Sequence, residues 1–141
     1  MSIEDDIRAE EGWKAHVYPD SLGYATIGYG FLVDSRKGQG LPKEVADFWL
    51  RWVVLETEGE LIKRWPPFFS QPNEVKRALL NMAYQMGVDG LLGFHQMLSA
   101  LENEDRAEAA AQILDSKFHQ QTPARAERMA GIIRGPDQVA A

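Results

Sequence analysis

The stretch Glu11-Gly12-Trp13-Lys14-Ala15-His16-Val17-Tyr18-Pro19-Asp20-Ser21-Leu22-Gly23-Tyr24-Ala25-Thr26-Ile27-Gly28-Tyr29-Gly30 decides the fold. It begins at the end of a short helix: Ser2 and Asp5 have the spacing of a capping-box variant, Ile3 and Ile7 mark one face, and Gly12 suits a stop. The period then falls to two. Residues 14–18 alternate, residues 19–23 are turn formers, and residues 24–30 alternate again, which predicts a small antiparallel sheet over residues 13–33. Residues 34–40 read as a loop.

Outward from this hairpin the pattern turns helical. Pro42 suits a first helical turn, and Val45, Phe48, Trp49, Trp52 and Val53 recur at helical spacing as far as about Arg64, where Trp65-Pro66-Pro67 breaks the run. Val75, Leu79, Met82 and Met86 predict a second helix ending at Gly87. Phe94, Met97, Leu98 and Leu101 predict a third, and Ala107, Ala110, Ala111, Leu114 and Phe118 a fourth. The last starts at Thr122 as cap with Pro123 in the first turn, and stops near Gly135-Pro136. The expectation is an α+β protein in two lobes. A sheet lobe (about 13–40) and a helical lobe (about 73–135, packed with the N-terminal helix 2–11) are joined by a long helix (about 41–65).

Composition narrows the function. In 141 residues, 45% are hydrophobic and 26% charged, with 15 basic against 21 acidic side chains, a net charge of -6 and a pI near 5.0. That balance lacks the basic footprint of a nucleic-acid binder and the polybasic segment that holds a protein on an anionic membrane. The absence of cysteine excludes disulfides, thiolate metal sites and cysteine nucleophiles. No apolar run reaches the roughly 20 residues of a membrane span, and the acidic start Met1-Ser2-Ile3-Glu4-Asp5-Asp6 is unlike a signal peptide. The expectation is a chain that starts in a cytoplasm and depends on something else for export.

Three residues of the hairpin stretch are candidates for chemistry. Glu11 follows Ile3 and Ile7 at steps of four, so it falls on the stripe expected to be buried; a carboxyl against apolar surface holds its proton above the usual range. The alternative is a short, fraying helix that leaves Glu11 wet. Asp20 lies in a turn, where aspartates usually bond nearby amides, and Thr26 lies mid-strand, where threonine is common for its β propensity. Period-two alternation puts Thr26, Gly28 and Gly30 on one face. Either the glycines leave a bare lane where a ligand can approach the backbone, or they only permit curvature.

Taken together, the string Glu11-Gly12-x-x-x-x-x-Tyr18-x-Asp20-x-x-Gly23-Tyr24-x-Thr26-Ile27-Gly28-x-Gly30 resembles the active-site hairpin of the phage-type lysozymes, the endolysin muramidases of glycoside hydrolase family 24. Residues 81–87, Asn-Met-Ala-Tyr-Gln-Met-Gly, with Gly93-Phe94, are similar to that family's helical lobe. Gln121-Thr122-Pro123-x-Arg125-Ala126-x-Arg128 resembles its end. The resemblance covers residues 3 to about 130, with a shorter loop at 34–41, and implies a lysozyme-like two-lobed fold.

It also implies an activity: hydrolysis of the β-1,4 bond between N-acetylmuramic acid and N-acetylglucosamine in peptidoglycan. Such chemistry needs an acid for the leaving oxygen and a second carboxylate across the sugar. By the resemblance, Glu11 is the general acid, Asp20 stays ionised and orients the attacking water, and Thr26 holds that water through its hydroxyl. The family's inverting outcome implies carboxyls roughly 6.5–9.5 Å apart. The family's glycan-contacting positions fall on Leu32, Tyr84, Gln85, Phe94, Met97, Gln112 and Lys117; Tyr84, Phe94 and Met97 equally suit a core, Met97 above all. Gly28 and Gly30 support the hairpin. Arg125 either sits near Glu11, as the resemblance implies, or is a solvated arginine on the last helix. No cofactor is implied, and His16, His95 and His119 lack ligand spacing for a metal.

The chain departs from the pattern at Phe31, where the family often has histidine, and in residues 135–141, which lack an aromatic anchor. The partner expected is the glycan strand of peptidoglycan, met by a monomer without membrane insertion, in lysis of a bacterial host. The alternatives are a wall-piercing domain on a phage tail or toxin, and a catalytically silent glycan-binding module. Within residues 117–134, Lys117, Arg125, Arg128 and Arg134 face only Glu127, so local positive charge can receive an anionic glycan despite the acidic total.

Overall fold

The capping box written into the first six residues forms as expected. Ser2 Oγ accepts from the Asp5 amide at 3.2 Å while the Asp5 carboxylate accepts from the Ser2 amide at 3.2 Å, satisfying helix-start donors that have no partner within the helix. Helix α1 spans Ile3–Glu11 and ends on Gly12, whose φ of 70° releases the chain from helical geometry. The computed structural model describes residues 2–136. Residues 137–141, most of the segment expected to lack an aromatic anchor, lie outside the described residues.

The chain divides into two compact units with the boundary between Trp49 and Leu50. In the first, β1 (Lys14–Pro19), β2 (Ala25–Gly28) and β3 (Phe31–Leu32) form an antiparallel sheet in the order β1-β2-β3. Tyr18 faces Thr26 and Lys14 faces Gly28, with a bulge between these pairs; Thr26 also faces Leu32. The expected loop contains a short 3-10 turn, Ser35–Lys37, because the Asp34 carboxylate caps it by accepting from the Arg36 amide at 2.8 Å.

Helix α2, Lys43–Arg64, contains the boundary and is one unbroken element. Pro42 stands just before it rather than inside it, its carbonyl accepting from the Val45 and Ala46 amides. The helical spacing of Val45, Phe48, Trp49 and Trp52 correctly predicts the helix, but all four are exposed, and Leu61 is the one buried residue of α2.

The second unit holds the hydrophobic core. Helices α3 (Asn73–Leu92), α4 (His95–Glu102), α5 (Arg106–Leu114), α6 (Lys117–Gln121) and α7 (Pro123–Arg134) surround Phe68, Val75, Leu79, Met82, Leu91, Met97, Ile113 and Ile133, all fully buried with Leu61. Gly87 breaks α3 as expected, with φ 80° and ψ 161°, but a further helical segment follows it to Leu92. The helix expected through Phe118 is two. Ser116 has extended geometry, and its Oγ accepts from the His119 amide, so a new helix starts where the old one would have continued. Thr122 precedes α7 without capping it by its side chain, and its hydroxyl donates to the Phe118 carbonyl instead. Arg106 reaches the far end of α7, donating to the Ile132 and Ile133 carbonyls and pairing with Glu74. No helix of the described residues is long and apolar enough to cross a membrane.

Candidate active site

Each hairpin candidate is placed by a different local device. Glu11 is the last residue of α1, and the Gly12 amide donates to the Arg8 carbonyl at 3.0 Å to close the helix beside it. The apolar surroundings expected for it are missing: Ile3 is 66% and Ile7 47% exposed, α1 buries no residue, and Glu11 itself is exposed. The carboxylate instead lies against Gly30. A Cβ on Gly30 would lie 2.6 Å from Glu11 Oε2 and 3.0 Å from Cδ, so the carboxylate rests on bare backbone that only glycine presents.

This changes the reading of both glycines. β2 ends at Gly28, and Gly30 lies in the turn beyond it with φ 80°. A Cβ on Gly28 would meet the Phe31 ring at 2.8 Å. The missing side chains make room for Phe31 and for Glu11 rather than for an empty lane. Phe31, standing where the resemblance led one to look for histidine, stacks edge-on to Tyr29, with centroids 6.4 Å apart.

Asp20 serves its turn with one oxygen. Its Oδ1 accepts from the amides of Leu22 at 2.9 Å and Tyr24 at 2.8 Å, and its backbone exchanges bonds with Gly23 and Tyr24. Among the described residues Oδ2 accepts no hydrogen bond, so the turn reading and a chemical role are compatible in one side chain. Thr26, 4% exposed, points its hydroxyl inward and donates to the Tyr24 carbonyl at 2.9 Å. That leaves its oxygen lone pairs as acceptors.

Sequence reading missed Asp34 and Arg36, which grip the same turn. Asp34 is 7% exposed; its carboxylate accepts from the Ala25 amide, the Arg36 amide and the Arg36 guanidinium. The guanidinium hydrogen bonds hold Asp34 well below the usual carboxylate range, helped by the two amides and opposed by desolvation. The same pairing raises Arg36, with a smaller Coulombic contribution from Asp20. Spacing gave no sign of this pair, because an aspartate followed two residues on by arginine is ordinary loop sequence.

In the second unit, five of the seven expected glycan contacts, Gln85, Phe94, Met97, Gln112 and Lys117, line one open cavity of about 760 Å³. Met97 is also fully buried, as its core reading implied. Gln85 donates to Thr122 Oγ1 at 3.2 Å and Gln112 to Glu108 at 2.7 Å. His95, Gln96, Asp115, Ser116 and Gln121 add to the polar wall and were not anticipated as glycan contacts. Tyr84 lines a different cavity, with Arg77, Asn81 and Arg125, and Leu32 stays on β3. Arg125 is held by Asn81, donating to its side-chain oxygen at 2.6 and 2.9 Å and to its carbonyl at 3.1 Å. Among the described residues no group of histidine and carboxylate side chains could hold a metal.

The chain matches the family model described as phage lysozyme over residues 8–134. The chain belongs to the phage lysozyme family. Its relatives agree. It is 30% identical to "Probable T4-type lysozyme 1" of Dictyostelium discoideum over 94% of this chain and 93% of that protein. It is 26% identical to "Probable T4-type lysozyme 2" of the same organism over 93% and 92%. It is also 29% identical to the "Pre-baseplate central spike protein Gp5" of Enterobacteria phage T4, over 94% of this chain but only 28% of that longer protein. The small antiparallel sheet and helical cluster are the α+β architecture of a phage lysozyme, and that membership makes the chain a lysozyme-like protein of the peptidoglycan-hydrolysing class.

Proposed function

We propose that this phage lysozyme is an endo-acting, inverting muramidase that cuts the β-1,4 bond between N-acetylmuramic acid and N-acetylglucosamine. Glu11 protonates the leaving oxygen, ionised Asp20 orients water on the opposite face and faces the developing oxocarbenium charge, and Thr26 holds the water. The observation that carries this reading is the seat of Glu11. A carboxylate at a helix end, lying over the space that Gly30 leaves free of a side chain, is open to a glycosidic oxygen. A sugar covering it would supply the exclusion of water that its exposure in the free protein does not. The division of labour within Asp20, one oxygen tied and one free, and the acceptor capacity left on Thr26 support the other two roles.

The cavity holding Gln85, Phe94, Met97, Gln112 and Lys117 is suited to glycan, offering amide donors, an aromatic edge and one cation. We assign Leu32 and Tyr84 to glycan contact as well, and Gly28, Gly30 and Arg125 to supporting the site. In this reading the 141 residues work as a single lysozyme domain and a monomer, kept in a host cytoplasm until the membrane is opened, and the role is lysis of that host. The likeness to a spike protein favours one other reading, a wall-piercing domain carried on a particle; co-sedimentation with particles instead of release as free chain would select it.

The test is turbidity clearing of outer-membrane-permeabilised bacteria by wild type and Glu11→Gln. The variant should lose at least about a hundredfold in rate, the scale of a lost general acid, with its melting temperature unchanged. Equal clearing by both would end the catalytic assignment. Mass spectrometry of the products should show cleavage at N-acetylmuramic acid, and intact glycan strands with cut peptides would contradict a muramidase.

A further inference from the structure

The turn that presents Asp20 is gripped from outside by a segment ten and more residues away. The Arg36 guanidinium donates to the Gly23 carbonyl at 2.9 Å and to Asp34 Oδ2 at 2.6 Å, while Asp34 Oδ2 accepts from the Ala25 amide at 3.1 Å. Between these two anchor points stands Tyr24, whose amide is one of the two donors to Asp20 Oδ1. Its ring lies under both Arg36, 5.1 Å from the centroid, and Lys37, at 4.7 Å. Three consecutive backbone units, 23 to 25, are therefore held by residues 34–37, and the middle one supplies one of the two amide donors to Asp20. Two further bonds brace the base of the clamp: the Val33 amide donates to the Ala25 carbonyl, and the Arg36 amide donates to the Asp34 carboxylate.

We propose that Asp34 and Arg36 are positioning residues for catalysis, a buried-carboxylate and guanidinium clamp that sets the direction of the Asp20 carboxylate through Gly23, Tyr24 and Ala25. The proposal rests on the reading of Asp20 as the water-orienting group. Only the planar fork of arginine bonds an acceptor on each side of the gap at once. The clamp acts on placement and not on affinity, so its loss shows in kcat and leaves KM in place.

The experiment compares full-length wild type with Arg36→Met, Arg36→Lys, Asp34→Asn and Asp20→Asn, measuring kcat and KM on purified peptidoglycan and amide hydrogen exchange by NMR. Arg36→Met should lower kcat by at least about tenfold, the scale of a sub-ångström misplacement, with KM changed by less than about twofold. Exchange at the Leu22 and Tyr24 amides should quicken while the buried amides of α3 keep their protection. Asp34→Asn, nearly isosteric, should fall between wild type and Arg36→Met and keeps the test open if the methionine variant does not fold. Arg36→Lys should recover little, because an ammonium lacks the fork; full recovery by lysine would overturn the clamp. So would unchanged exchange at Leu22 and Tyr24, or unchanged kcat in Arg36→Met while Asp20→Asn is inactive. If Asp20→Asn keeps wild-type kcat, the catalytic reading of Asp20 fails, and positioning fails with it, whereas the exchange data still decide whether the pair holds the turn.

Discussion

Replacing Gly30 by alanine separates the cost of a backbone conformation from the cost of moving a carboxylate. Gly30 has φ 80°, where a side chain costs about 1–2 kcal/mol, or a melting point lower by several °C in a chain of this size. The added methyl would also sit 2.6 Å from Glu11 Oε2, where ordinary contact begins at 3.4 Å. The carboxylate end of a glutamate is flexible, so it yields by about 0.8 Å instead of unfolding the turn. Misplacement on that scale costs between about tenfold and a hundredfold in rate. Gly38 supplies the control: its φ of 68° is equally left-handed, but a Cβ there meets nothing within 4 Å. Gly38→Ala should match the stability loss of Gly30→Ala and keep wild-type clearing. In a Glu11→Gln background, Gly30→Ala should cost no further activity, because the group it displaces is already disabled. Equal activity of the two alanine variants would refute the argument, as would additive losses in the double variant.

Three other expectations concern stability. The Asp34 carboxyl is held below the ordinary aspartate value of 3.8, so its contribution is complete above that value and disappears as pH falls through the lower folded-state value. Urea midpoints should show a deficit for Asp34→Asn at pH 6 that narrows towards pH 2.5, and a deficit constant with pH would contradict the pairing. Phe68 is fully buried, and Phe68→Ala should lose about 3–5 kcal/mol in denaturant unfolding; a loss below 1 would mean the core is not where it is drawn. Arg106→Met strands the Ile132 and Ile133 carbonyls and the Glu74 carboxylate and should cost about 1–3 kcal/mol, with exchange rising first at the end of α7.

The elements were legible because their signals are local. A capping box spans four residues, a turn such as residues 20–24 is set by its own aspartate and glycines, and helical spacing in residues 43–64 is a property of the segment alone. The three hairpin candidates were singled out together only by a family resemblance, although the turn that holds Asp20 is itself local. The break at Ser116 was missed because the apolar stripe continues across it to Phe118, while the decision lies in one hydroxyl finding the His119 amide.

Burial and partnership were decided by tertiary structure. Ile3, Ile7 and Glu11 share a helix face in the sequence, and yet that face is exposed and Glu11 is placed by Gly30, nineteen residues away. Period-two spacing suggested that two glycines leave a lane, and only the packed hairpin shows Phe31 and Glu11 filling it. Asp34 and Arg36 are unremarkable in the chain and become a clamp when β2 and β3 bring their loop against residues 23–25. Periodicity is the spacing of apolar side chains within one segment, so a sequence can announce helix, strand and turn. Which atom fills the space above a glycine, or pairs with a buried carboxylate, depends on segments that meet only when the chain has folded.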